Sequence, residues 1–263
     1  MHPSRRTFLL SSLAFSTGLA QDSPAKIPVA IIGHTGKGNY GHGLDTMWTT
    51  LPTTTVVAVA DADEKGLASA KTRLKLDKGF NDYRKMLAEV KPQVVAVAPR
   101  FVNEHRDMIL ACINAGVKGI YVEKPFCRTP AEVDEILIAA EKKKVKIAVA
   151  HRNRYHPVLP VITELIKGET IGKVLEIRAR GKEDARGGGL DLWVLGSHLL
   201  NLASYFTGKP TACTATIHLA AKPATKTDTK QGDEGVGLIL GDEVHAKFET
   251  EKGYPLFFDS IKG

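Results

Sequence analysis

Two rhythms in the amino-acid sequence predict an α/β chain built in two parts. Between residues 26 and 150, five short apolar runs alternate with segments of helical length, the pattern of βαβ units and of a doubly wound parallel sheet. Beyond residue 150, strand-like segments follow one another without helices between them. They predict an α+β domain over 151–263 with a mainly antiparallel, open sheet, incomplete at its end. Composition agrees: of 263 residues, 43% are hydrophobic and 25% charged, which excludes disorder, collagen or coiled coil as a description of the whole chain.

The chain opens on Ser4-Arg5-Arg6-Thr7-Phe8-Leu9, followed by uncharged residues to Ala20 and then Gln21-Asp22. A basic start, a short apolar stretch and small residues at Gly18 and Ala20 predict a signal peptide over 1–20, cleaved after Ala20. The stretch is shorter than the roughly 20 apolar residues that span a bilayer, so no membrane span is expected. The paired arginines mark a twin-arginine signal, with a plain secretory signal or a basic tail as the alternatives. The expected location is periplasmic or otherwise exported. Two of the 36 basic residues and none of the 29 acidic ones lie in this leader, so a mature chain keeps 34 against 29. Lys142-Lys143-Lys144, Lys222, Lys226 and Lys230 read as a solvated basic surface, not a nucleic-acid site. Cys112, Cys127 and Cys213 contain no C-x-x-C pair, so neither a disulfide framework nor a zinc site is expected.

The apolar runs at 27–32, 55–60, 94–98, 119–122 and 145–150 are short and continuous, as strands buried on both faces are. Helical segments are expected at 43–51, 64–74, 83–90, 104–115 and 130–143. The last begins Thr129-Pro130 with Glu132 in its first turn, an N-cap followed by proline at the first helical position. In the second part we expect helices at 158–167 and 192–206, a glycine-rich loop at Gly187-Gly188-Gly189, and strands at 173–180, 211–218, 235–240 and 243–249. Gly241-Asp242 has the look of a hairpin turn between the last two. The run from Pro255 to Ile261 leads to no further element, so a fragment or truncated product is expected.

The first strand feeds Gly33-His34-Thr35-Gly36-Lys37-Gly38-Asn39-Tyr40-Gly41-His42-Gly43. Gly36 to Gly41 fits G-x-G-x-x-G, starting three residues after the strand-closing Gly33. Glycines there let backbone approach a pyrophosphate at a helix N-terminus. Asp61 ends the second strand, 28 residues after Gly33, where a carboxylate hydrogen-bonds ribose hydroxyls and repels a 2′-phosphate. NAD is therefore the expected cofactor, with NADP left open. A flexible loop and a helix N-cap are the alternatives for these two features.

Glu123-Lys124-Pro125 directly after the fourth strand resembles the signature of the Gfo/Idh/MocA family, which includes glucose–fructose oxidoreductase and inositol dehydrogenase. Ala98-Pro99 followed by His105, Arg154-Tyr155-His156-Pro157, and Gly196-Ser197-His198 agree with it in order and spacing, so the resemblance covers about residues 26–249. It implies an NAD(P)-binding Rossmann domain over 26–150 joined to a substrate domain, with a carbohydrate bound between them. Cofactor-binding residues would be Gly33, Gly36, Gly38, Gly41, Asp61, Pro99, Glu123 and Lys124. Lys124 would donate to the substrate's reacting oxygen, Glu123 would orient or pair with it, and His198 would take the hydroxyl proton as general base, titrating near neutral pH. A homo-oligomer formed through the second-domain sheet is left open.

The sequence also departs from that pattern. Aspartates often found four residues before and three after the histidine are here Val194 and Asn201. Asp191 lies seven residues before His198, nearly on the same helical face, and could substitute if the helix includes it. Asn201 can hydrogen-bond a sugar hydroxyl; Arg154 and Tyr155 suit a polyhydroxylated or acidic substrate, with a bridge between domains as the alternative for Arg154. No metal ligand set is expected among His151, His156 and their neighbours. The leading expectation is an exported NAD(P)-dependent oxidoreductase of a sugar, cyclitol or sugar acid. A redox-neutral glycosidase or lyase with retained NAD, and a non-catalytic sugar- or cofactor-binding module, are the alternatives.

Overall fold

The computed structural model describes residues 25–263; the expected signal peptide lies outside them. Six strands form a parallel sheet in the order β3-β2-β1-β4-β5-β6. They are β1 (Ile27–Ile32), β2 (Thr54–Ala60), β3 (Gly79–Phe80), β4 (Val94–Val97), β5 (Gly119–Val122) and β6 (Lys146–Val149). The helices α1 (Glu64–Leu74), α2 (Tyr83–Val90), α3 (His105–Asn114) and α4 (Pro130–Lys143) cover its faces. Side-chain alternation sends Ala30, Ile32, Val95 and Val97 to the face beneath α2, α3 and α4, and Ile31, Val59 and Ala96 to the face beneath α1. Strand order reverses between β1 and β4, and in open α/β sheets ligands bind in the crevice at that switch point, beyond the strands' C-terminal ends.

Local chemistry sets the helix ends. Asp63 and Asp82 accept from backbone N–H groups of α1 and α2, and Thr129 caps α4 through Glu132 N–H with Pro130 behind it. The helix expected at 43–51 does not form. Only a 3₁₀ turn at Thr46–Thr49 appears, because Gly38 and Gly41 hold left-handed backbone (φ +83° and +59°) and keep the segment folded as successive turns.

The second part contains α5 (Val158–Lys167), β7 (Ile177–Arg180), α6 (Ser197–Thr207), β8 (Pro210–Leu219), β9 (Lys222–Pro223), β10 (Lys230–Gln231), β11 (Leu238–Ile239), β12 (Glu243–Thr250) and β13 (Leu256–Ile261). Its main sheet runs β7-β13-β12-β8-β9, antiparallel except for β7 with β13. The C-terminal run expected to lead nowhere is thus β13, between β7 and β12, with Phe258 fully buried against Ala203 and Leu199 of α6.

Two other expectations need correction. The strand over 235–240 shrinks to β11, which pairs with β10 in a separate ribbon, so Gly241-Asp242 makes no hairpin into β12. Val236 and Ile239 instead bury against Val102 and Trp193, and Val102 N–H donates to the Glu234 carbonyl, folding the segment back onto the first domain. The helix expected over 192–206 forms, but it opens on a wide π turn at Leu192–Gly196 that runs without interruption into α6 at Ser197. Such turns aim backbone groups away from the regular ladder. Among the described residues no helix is long and apolar enough to cross a membrane.

Candidate active site

β5 ends by delivering Glu123 and Lys124 to the crevice between the two parts. Lys124 is only 6% exposed. Its Nζ donates to the Val194 carbonyl at 3.1 Å, a carbonyl presented by the π turn. Burial lowers the ammonium's pKa, against the opposing pull of Glu123. Glu123, itself buried, takes a different partner from the one expected: its Oε1 lies 2.5 Å from His42 Nδ1, so the carboxylate ties the glycine-rich turn to the end of β5.

His151 follows β6 and His198 stands in the first turn of α6. Their rings meet edge-on, 5.2 Å between centroids, with the two Nδ1 atoms 3.3 Å apart. Burial, then the charges of Lys124 and His151, hold His198 down to about 4. Burial and Lys124 lower His151 as well. The sequence led us to expect titration near neutrality for His198; the structure makes it a neutral imidazole throughout the physiological range, ready to accept a proton. Lys124 and His198 line one cavity of 450 Å³, together with Glu123, His42, Arg152, Lys182 and the Val194-Leu195 turn.

A second cavity, of 330 Å³, lies across the switch point and is bordered by Gly33, His34, Asp61, Asn81, Tyr83, Asn103 and Glu104. Asp61 closes β2 as expected, but its carboxylate is 1% exposed and saturated by protein donors. Thr35 N–H and Oγ1, Tyr40 OH (2.8 Å) and Asp63 N–H all donate to it. The Tyr40 ring fills the place a Cβ on Gly33 would need, 2.2 Å away, and burial with the Asp61 bond raises its phenol pKa.

A buried lysine and a cavity fit a dinucleotide on one side of the switch point and a cavity fits it on the other, but Asp61, expected to bind ribose hydroxyls, is instead committed to Thr35, Tyr40 and Asp63 and shapes that cavity's wall. The middle is built differently from the expectation. With no helix after the turn there is no helix N-terminus to meet a pyrophosphate. The N–H groups of Gly38, Tyr40, His42 and Gly43 make no hydrogen bond to any described residue and are the donors the turn has to offer. Gly38 packs on Arg100 backbone, Gly41 on the Ala98 carbonyl and the Glu123 side chain, and Gly36 faces open space.

Pro99 serves through its carbonyl. The His105 ring, completely buried, is placed between the carbonyls of Pro99 (2.7 Å) and Pro125 (2.9 Å), joining the switch-point loop to the Lys124 loop.

Four expected substrate residues fall elsewhere. Arg154 donates to the Asn201 carbonyl and lies over the Tyr205 ring, which makes it a bridge to α6. Tyr155 is 76% exposed and outside the cavity lining. Asn201 Oδ1 is buried without a partner. Asp191 stands at the start of the helical segment, ahead of the π turn, and is fully buried outside the lining of the cavity that His198 borders. Its carboxylate accepts from Lys182 N–H, Leu195 N–H and Ser260 OH, which positions the two cavity residues Lys182 and Leu195. His42, Tyr40, Lys182 and Arg186 escaped the sequence reading; Tyr40 sits in a variable position of the glycine motif and His42 directly after it, and nothing in sequence brings the last two to the crevice. Among the described residues no group of three or more His, Cys, Asp or Glu side chains is arranged to hold a metal ion.

Residues 27–151 match the family described as GFO_IDH_MocA, oxidoreductase family, NAD-binding Rossmann fold. Over 124 residues the chain is 31% identical to a trans-1,2-dihydrobenzene-1,2-diol dehydrogenase of Xenopus tropicalis, 47% of this chain and 37% of that one. Over 128 residues it is 25% identical to a myo-inositol 2-dehydrogenase of Thermotoga maritima, 49% and 38% of the two chains. The match therefore spans less than two-fifths of these relatives' length. A scyllo-inositol dehydrogenase from Lactobacillus casei, solved with NAD(H) and scyllo-inositol, superposes with a TM-score of 0.70 at 19% identity over 90% of this chain and 70% of that one. The fold of both parts is thus that of this group of structures, and the first part matches the family's NAD-binding Rossmann domain.

Proposed function

We propose that the whole chain is an NAD(P)-dependent oxidoreductase of the Gfo/Idh/MocA family, acting on a CH–OH group of a sugar, cyclitol or sugar acid. One observation carries the reading: the Lys124 ammonium and the His198 imidazole line the same cavity, at the carboxyl edge of a sheet whose family binds NAD.

NAD, when bound, supplies the hydride acceptor. Lys124, short of solvent and bonded on one side to the Val194 carbonyl, has further N–H groups to donate to the reacting oxygen and stabilise charge as it develops there. Neutral His198 accepts the hydroxyl proton, and His151, 3.3 Å away, offers the next site for it. The Glu123–His42 pair and the His105 bridge hold the loops that carry these groups.

Export through a twin-arginine signal belongs to the same proposal and is supported by the Arg5-Arg6 motif alone. Incubating the protein with NAD and a panel of sugars, cyclitols, sugar acids and sugar phosphates, and following reduced-nicotinamide absorbance, tests the activity. Appearance of the signal with at least one of them, and its loss in Lys124→Met, is expected. NAD binding with no oxidation of any compound in the panel would overturn the catalytic reading.

A further inference from the structure

Glu123 is the one acid on the lining of the 450 Å³ cavity, and Asp191 behind it is held by Lys182 N–H, Leu195 N–H and Ser260 OH. Glu123 faces His42, Glu234 pairs with Arg100 at 2.8 Å, and Asp184 pairs with Arg186. Lys124, Lys182 and Arg152 remain, and among the described residues none of them has an ion-pair partner; all three border this cavity. Lys124 is the reacting-end lysine in the proposed chemistry. That leaves Lys182 and Arg152 as two cations on the lining of the same cavity, one after β7 and one after β6.

We infer that the substrate carries an anionic group, a carboxylate or phosphate on a polyhydroxylated frame, and that Lys182 and Arg152 hold it. The inference rests on the oxidoreductase reading and narrows its substrate class. Lys182 is half-buried and its backbone is fixed by the buried Asp191, so its position costs little ordering on binding. Within so small a volume, three unpaired positive charges repel one another, and an anion entering between them removes that repulsion. The field is felt by neighbours already: Lys182 lowers the Lys124 pKa and Arg152 that of His198. A neutral polyol would leave the repulsion in place and gain only hydrogen bonds.

The test is calorimetric titration of the NAD-saturated protein with glucuronate, glucose 6-phosphate and glucose, at low and high salt. NAD affinity, measured first, checks the underlying reading separately. Expected is binding of at least one of the two anions about tenfold or more tighter than glucose, weakening as salt rises. Which of the two binds tighter identifies carboxylate or phosphate. In Lys182→Met/Arg152→Met the preference falls to within about threefold while NAD affinity holds. Glucose binding as well as both anions, no binding of either anion, or a preference that survives the double variant with NAD still bound overturns the inference.

Discussion

Lys124 Nζ donates to the carbonyl of Val194 at 3.1 Å, and this one bond joins the end of a parallel strand to the π turn that leads into α6 of the second part. The bond sets the depth of the ammonium in the cavity and leaves its other hydrogens for a ligand. In Lys124→Met, NAD affinity should stay near wild type while turnover falls by about a hundredfold or more, the range for loss of a positioned proton donor. Steady-state kinetics with a separate NAD titration checks this; loss of both together would make Lys124 a cofactor-binding residue only.

The low His198 pKa has a sign that can be followed. Below its ordinary value of 6.5 the unfolded imidazole takes up a proton that the folded one refuses until about 4. Stability conferred by the neutral ring is therefore complete above pH 6.5 and is lost as pH falls towards 4. His198→Gln should flatten that slope in urea melts. The acid limb of kcat/KM should likewise fall near pH 4 instead of near 6.5, because this profile reports free-enzyme groups.

His42 is the sole described hydrogen-bond partner of the buried Glu123 carboxylate. His42→Ala leaves an unsatisfied buried acceptor, and a loss of about 1–3 kcal/mol is expected in denaturant titration. Glu123→Gln combined with it should recover part of that loss by removing the charge. No recovery would mean that the pair acts only by packing.

Phe258 lies at 0% exposure in the middle of β13. Phe258→Ala should cost about 3–5 kcal/mol, as large aromatic truncations in cores do, and deletion of residues 256–263 should unfold the second domain while the first keeps its helices. Limited proteolysis distinguishes the two parts. A truncated protein with its second part still protected would contradict the central place of β13.

The parallel sheet was legible because its strands are apolar on both faces and its helices carry their own caps: Asp63, Asp82 and Thr129 stand where the boundaries fall. Glu123, Lys124 and His198 were found as a group because their motifs are local words. What the sequence hid depends on contacts distant along the chain. Leu256–Ile261 looked superfluous because its parallel partner β7 lies far upstream, at Ile177–Arg180, although its antiparallel partner β12 directly precedes it. Asp61 was read from its place after β2, yet the Tyr40 hydroxyl and Thr35 amide that saturate it are set by a turn whose shape no spacing rule gives. Asp191 was offered as a partner for His198 if the helix reached it; the helical segment does, but the side chain is spent on Lys182 N–H, Leu195 N–H and Ser260 OH.

The central claim is that the nicotinamide and the reacting hydroxyl meet between Lys124 and His198. A crystal structure of the NAD complex tests it most directly. We predict the nicotinamide ring inside the 450 Å³ cavity, with Lys124 Nζ and a His198 ring nitrogen each within about 3–3.5 Å of a ligand oxygen placed over it. A nicotinamide lodged outside that cavity, with Lys124 still bonded to Val194 and out of its reach, would contradict the account.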